Sequence, residues 1–268
     1  AVFVKCPHPE MIEAIHFAGF DGAVIDMEHT PLSPRDLYPL VLAAERHNLK
    51  VILRTPNDEE QYIKWSLDLG ISHIQIPHVN NSNQIKEIEK LAFFNPTGER
   101  GLCRFVRAAE FSNIPVQNYL EKANRMTKII YQIEGLNGIN NISSIIDEIT
   151  MPSIIFLGPY DLSQAVNRPG DIWHEDVTKL MLDVIHQCSE KGIEVGTFTD
   201  TKDGINFWEL KGISLIEYAS DLNLFIEKCS HLVKKDGFMF VATMNKNLKS
   251  YLFAILGAEY VLRCLPIG

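Results

Sequence analysis

Asp26, Glu28 and His29 stand together in GAVIDMEHT, where an apolar run gives way to a polar turn. Rigid scaffolds present side chains to ligands at the ends of such runs. The plainer reading is a charged, solvated turn. The same transition recurs along the chain. Arg54 closes KVILRT, Pro77-His78 closes HIQIP, Gln132 and Glu134 close KIIYQIE, and Gly158, Tyr160 and Asp161 follow in FLGPYDLS. Two carboxylates from neighbouring strand ends, Glu134 and Asp161, can share a hard divalent cation, and oxygen-only ligation favours Mg²⁺ or Mn²⁺. Asp161 alone reads equally well as a helix cap. Glu134 is harder to set aside, because an acid closing an apolar strand is costly to bury unless paired. An imidazole can gain and lose a proton under physiological conditions, so His29 suits a general base, directly or through water. Asp26, three residues earlier, is placed to orient its ring, and Asp68 is a second candidate for that role. Arg54 offers a fixed cation for an oxyanion or carboxylate, its alternative being a structural ion pair. Gly158 permits a tight turn, and the amides entering the following helix can receive an anionic group.

Eight β-branched, apolar runs must position these residues: 2–5, 22–27, 50–55, 73–77, 128–134, 153–158, 194–200 and 214–221. Their near-continuous apolar character is that of parallel strands covered on both faces. Between them lie amphipathic stretches such as SPRDLYPLVLAAERHNL, with Ser33 at the N-cap position and Pro34 at the first helical position, and DVTKLMLDVIHQCSEKG, ending at Gly192. Eight strand–helix units predict an α/β fold, a (β/α)8 TIM barrel over residues 1–235, with chemistry at the carboxyl ends of its strands. An open doubly wound sheet is the rival, but neither GxGxxG nor GxxxxGK[ST] occurs. Residues 94–124 form a long polar insertion carrying Arg100, Arg104 and Arg107. Residues 236–268 read as a C-terminal extension of further strand, helix and strand, expected to pack outside the barrel, either against its own helices or against a neighbouring subunit.

The composition excludes several partner classes. The 268 residues are 46% hydrophobic and 22% charged, with a net charge of −9 and no basic stripe, which argues against nucleic acid. Five scattered cysteines without a CxxC pair suit a reducing, cytoplasmic setting. No apolar run reaches the ~18 residues of a membrane span, so no membrane partner is expected.

GFDGAVIDMEHTPLSP, TGERGLCRFVRAAEFS, YQIEGLNGINNISSIIDEI and IIFLGPYDLSQAVNRPG together resemble the HpcH/HpaI aldolase/citrate lyase family, in order, from residue 1 to about residue 234. The resemblance implies a metal-dependent class II pyruvate aldolase. It makes Glu134 and Asp161 ligands of Mg²⁺ or Mn²⁺, with Gln132 beside them, and His29 the catalytic histidine, held by Asp26 and Asp68. It assigns Arg54 to the enolate and carbonyl oxygens and the amides around Gly158, Tyr160 and Asp161 to the substrate carboxylate. The implied partners are a small 2-oxo acid and an aldehyde, and the implied assembly is a homo-oligomer, a hexamer or dimer. The family also contains a citrate synthase branch of siderophore biosynthesis that condenses oxaloacetate with acetyl-CoA, and arginines 100–107 would then suit an extra carboxylate or the CoA phosphates. A non-catalytic 2-oxo-acid-binding protein is the third reading. Met27, where many relatives have glycine, and Tyr160, where catabolic aldolases have alanine, alter the expected pocket.

Overall fold

The computed structural model describes residues 1–232. Its eight strands form one parallel sheet in sequential order: β1 (Val2–Val4), β2 (Gly22–Asp26), β3 (Lys50–Arg54), β4 (His73–Ile76), β5 (Lys128–Ile133), β6 (Ser153–Leu157), β7 (Glu194–Thr199) and β8 (Leu215–Tyr218). The seam between β8 and β1 is joined by a single bridge, Phe3 to Ser220, and by the bond from Tyr218 N to the Ala1 carbonyl (2.8 Å). The expected barrel is therefore present. Its helices are α1 (Pro9–Phe17), α2 (Pro34–Arg46), α3 (Glu60–Leu69), α4 (Ser82–Ala92), α5 (Val116–Met126), α6 (Leu136–Asn140), α7 (Ile142–Glu148), α8 (Pro159–Ala165), α9 (Glu175–Glu190), α10 (Lys202–Leu210) and α11 (Asp221–Ser230). Among the described residues no helix is long and apolar enough to cross a membrane.

Local chemistry sets the boundaries. Ser33 and Asp36 form a reciprocal capping box at the start of α2, with Pro34 at the first helical position. Asn81 caps α4 by accepting from Gln84 N. Gly70 ends α3 at φ 101°, a left-handed conformation that glycine adopts without steric cost.

The period of two along each strand divides the side chains into an outward set, packed under the helices, and an inward set. Near the strand starts the inward set is apolar: Phe3, Val24, Ile52, Ile130 and Ile154 form one cluster. Two residues further along, four of these five strands carry Lys5, Asp26, Arg54 and Gln132, while β6 carries Phe156. All of these except the half-buried Lys5 are buried. The runs look continuously apolar in sequence because both faces are buried, yet the inner face turns polar at the carboxyl end.

The 94–124 insertion folds on itself. Phe94, Ala109 and Tyr119 make a small core of their own, roofed by a 3-10 turn (Arg107–Ser112). Residues 1–225 form one compact unit, and a second begins at Ile226. The boundary at 235 and the extension 236–268 lie outside the described residues.

Candidate active site

Arg54, the last residue of β3, is fixed in the barrel mouth. Its Nε donates to Asp26 Oδ1 (2.9 Å), its Nη1 lies 3.1 Å from Glu28 Oε2, and its guanidinium covers the Phe3 ring at 4.7 Å. Burial alone would raise the Asp26 carboxyl, but hydrogen bonds and charge from Arg54 and Lys5 overcome it and hold Asp26 at about 2. The same pairing holds the Arg54 pKa above its ordinary value although burial opposes it. Lys5, at the exit of β1, bonds Asp26 as well.

Glu134 follows β5 directly and is 5% exposed. His78, after β4, adopts φ 59°, a left-handed geometry that non-glycine residues hold only when their surroundings impose it. The turn aims its backbone N–H at Glu134 Oε1 (2.9 Å) and sets its ring between two acids, with Nδ1 2.9 Å from Glu134 Oε1 and Nε2 3.1 Å from Glu28 Oε1. Burial raises the Glu134 carboxyl, opposed by the Gln132 amide and the His78 N–H and reinforced by Glu28. Gly158 is required beside it, because a Cβ there would come 2.9 Å from Glu134 Oε2. The Tyr160 hydroxyl donates to Asp200 Oδ2 (2.9 Å), and burial together with Asp200 pushes it up to about 12.

A cavity of about 340 Å³ at this end is lined by His29, Arg54, Gln132, Glu134, Tyr160 and Asp161, with Gly158 at its edge and Phe3, Phe156 and Phe198 as an aromatic wall. A larger cavity, about 830 Å³, opens at the strand starts around Lys50, His73 and Lys128. No cluster of potential metal ligands converges there among the described residues, and barrel chemistry belongs at the other end.

Seven of the residues singled out in the sequence thus meet in one cavity. Two take other places. Asp26 does not reach the His29 ring; it accepts from the backbone N–H of Glu28 (3.1 Å) and His29 (3.3 Å), so it holds the turn rather than the imidazole. Asp68 lies in the last turn of α3, at the strand-start end, where it pairs with Arg100 Nη2 at 2.7 Å within the same chain. Two of the insertion's arginines are likewise away from the mouth. Arg100 is buried on Asp68, and Arg107 bonds Glu45 (2.9 Å) and the Leu69 carbonyl (2.8 Å). The Gly158 amide donates to the Ile133 carbonyl (3.1 Å), which leaves Tyr160 and Asp161 as the first-turn donors of α8 able to face an anion.

The sequence reading passed over Glu28 and His78 as site residues, although both stand in the strand-end segments it marked. Glu28, His78 and Glu134 offer ligand atoms all within 4.8 Å of one another. Glu28 Oε2 is buried with no hydrogen-bond donor, since its 3.1 Å approach to Arg54 lacks hydrogen-bond geometry. Two acids and an imidazole with ligand atoms this close, and one Glu28 oxygen lacking a hydrogen bond, make a donor set that fits a divalent cation. Asp161 lines the same cavity from α8 but is not part of that group of three.

Residues 1–227 match the HpcH/HpaI aldolase/citrate lyase family. Over 223 residues the chain is 29% identical to a 2-dehydro-3,6-dideoxy-6-sulfogluconate aldolase of Pseudomonas putida, covering 82% of this chain and 86% of that one. It is 30% identical over 225 residues to a hydroxypyruvate/pyruvate aldolase of Roseobacter denitrificans, covering 83% and 86%. Among solved structures it resembles the citrate synthase SbnG, with a TM-score of 0.78 at 26% identity over 86% of this chain and 89% of that one.

Proposed function

The chain belongs to the HpcH/HpaI aldolase/citrate lyase family, and from that premise we propose that it makes and breaks a carbon–carbon bond beside the keto group of pyruvate or a related 2-oxo acid, with an aldehyde as second reactant. The observation that carries this reading is the convergence of Glu134, Asp161, His29 and Arg54 on one cavity. Glu134 is the common member of the ligand sets: Asp161 joins it on the sequence argument, Glu28 and His78 on the geometry. A divalent cation there, Mg²⁺ or Mn²⁺, supplies the Lewis acidity that makes the carbon next to the keto group acidic.

The chain's own groups do the rest. Arg54 is held by its Nε bond to Asp26 and its ion pair with Glu28, so its charge is already in place for the oxygen that becomes negative as the bond breaks. Such preorganised donors contribute roughly 2.7–4 kcal/mol. His29 is exposed at the cavity mouth. It takes the proton from the substrate hydroxyl in cleavage and returns it to the aldehyde oxygen in condensation. The Tyr160 and Asp161 amides receive the carboxylate, and the wall of Phe3, Phe156 and Phe198 keeps water from the carbanion.

The likeness to a citrate synthase supports a second reading, oxaloacetate with acetyl-CoA. Arg100 and Arg107, expected to favour it, are engaged at the other end of the barrel, which leaves aldol chemistry the stronger reading. The test is pyruvate with a panel of aldehydes beside oxaloacetate plus acetyl-CoA, each with and without EDTA. Aldol product should form, vanish on chelation and return with Mg²⁺ or Mn²⁺. Glu134→Gln should imitate chelation, and whichever of Asp161→Asn and His78→Ala does the same identifies the second ligand. Citrate without aldol product would establish the second reading, and full activity in EDTA would end the metal hypothesis.

A further inference from the structure

Beneath Glu134 the barrel interior carries a line of buried polar side chains that no step above uses. Glu217, on β8, is 0% exposed, as is Gln75 on β4, and Gln132 on β5 is 3% exposed. Gln75 Nε2 donates to Glu217 Oε2 (3.4 Å) and to Gln132 Oε1 (2.6 Å), and Gln132 Nε2 donates to Glu134 Oε2. An amide has one accepting and one donating end, so a chain of amides has a polarity. An acceptor at the Glu217 end draws the Gln75 NH2 inward. The same NH2 engages the Gln132 oxygen, which leaves the Gln132 NH2 facing Glu134. Were the two amides reversed, an amide oxygen would face the carboxylate, two acceptors in contact.

We propose that Glu217 is a positioning residue of the metal site, fixing through Gln75 and Gln132 the donor that holds Glu134 in its ligating orientation. The inference rests on the reading of Glu134 as a ligand. Glu217 itself touches neither the cavity nor Glu134, and acts at a distance through two side chains. Burial pushes its carboxyl up to about 8, against Arg54 from β3, the Gln75 amide and the amino group of Ala1, with Asp26 from β2 reinforcing the rise. A neutral carboxyl still offers one oxygen to Gln75 and places no unpaired charge in the barrel. Glu217 Oε1 and Gln75 Oε1 have no hydrogen-bond partner, so this line is under stress at its far end and sensitive to substitution there.

Outer partners of metal ligands typically govern metal affinity by 10–100-fold. The experiment is calorimetric Mn²⁺ titration at pH 7 of the full chain, of Glu217→Leu, of Glu217→Gln and of Gln75→Met, each checked for its folded circular dichroism. Glu217→Leu fills the space without an acceptor and should weaken Mn²⁺ binding about 10-fold. Glu217→Gln, which keeps an accepting oxygen, should stay within about 2-fold of the unmodified chain, and Gln75→Met should repeat the leucine result from one link higher. Should Glu217→Leu fail to fold, Gln75→Met decides. A folded Glu217→Leu or Gln75→Met that binds Mn²⁺ as tightly as the unmodified chain overturns the relay while leaving the metal site in place. An unmodified chain that binds no Mn²⁺ removes the metal site and the relay with it.

Discussion

The two ends of the barrel hold the same kinds of residue in opposite states. At the strand starts, Asp68 meets Arg100, which also reaches the Tyr119 hydroxyl (3.3 Å), and Glu45 meets Arg107. Each of these four charges has one opposite partner. At the carboxyl ends, Asp26, Glu28, Glu134 and Asp161 share the rim with Lys5 and Arg54, the permanent cations that line the cavity. The acids are in excess, one buried oxygen lacks a donor, and burial raises Glu134. Balanced pairs fasten the insertion to α2 and α3, whereas a surplus of converging acid in a cavity is what a cation or a developing charge can use. An arginine beside an acid is therefore no sign of function by itself; the imbalance is.

That contrast breaks first if removing a rim residue leaves the chemistry intact. His29→Ala should lower kcat by roughly 10²–10⁴ with Mn²⁺ affinity nearly unchanged, as stopped-time product assays and calorimetry on the same preparation will show. A normal kcat would return His29 to a solvated turn. Arg100→Met should do the reverse. It strands Asp68 at the strand-start end, and breaking a buried pair costs about 3 kcal/mol, which lowers Tm by several degrees in a thermal scan while per-site kcat stays within a few-fold. A large kcat loss in folded Arg100→Met protein would mean that the two ends are coupled.

The last effect concerns pH. The Glu217 carboxyl is raised to about 8 in the fold, so between its ordinary value near 4.5 and pH 8 the folded chain keeps a proton that the unfolded chain gives up. Stability on this account is full at low pH and falls as pH rises across that window. Glu217→Leu should remove the slope, so that its Tm relative to the unmodified chain rises by several degrees between pH 5 and pH 8. Parallel Tm–pH curves for the two proteins would show that Glu217 is ionised throughout.

What the sequence alone determined is the barrel and most of its rim. Eight strand runs alternating with amphipathic stretches, without a glycine-rich dinucleotide turn, favour a closed parallel barrel, and strand ends of a barrel share one face, so His29, Arg54, Gln132, Glu134, Gly158, Tyr160 and Asp161 could be gathered from their places at strand ends and family resemblance. Tertiary structure decided which acid each base meets. Asp68 looked available to His29 because sequence shows type and not direction; its place in the last turn of α3 carries it to the far end. Asp26 took Arg54 and Lys5 instead of the imidazole, because paired neighbours in adjacent strands, Asp26 opposite Arg54, lie closer than a ring three residues along a turn. His78 and Glu28 became partners only through a left-handed backbone turn at His78. Glu217 and Gln75 are 142 positions apart, and their contact exists because closing the barrel brings the inward faces of β4 and β8 across one interior.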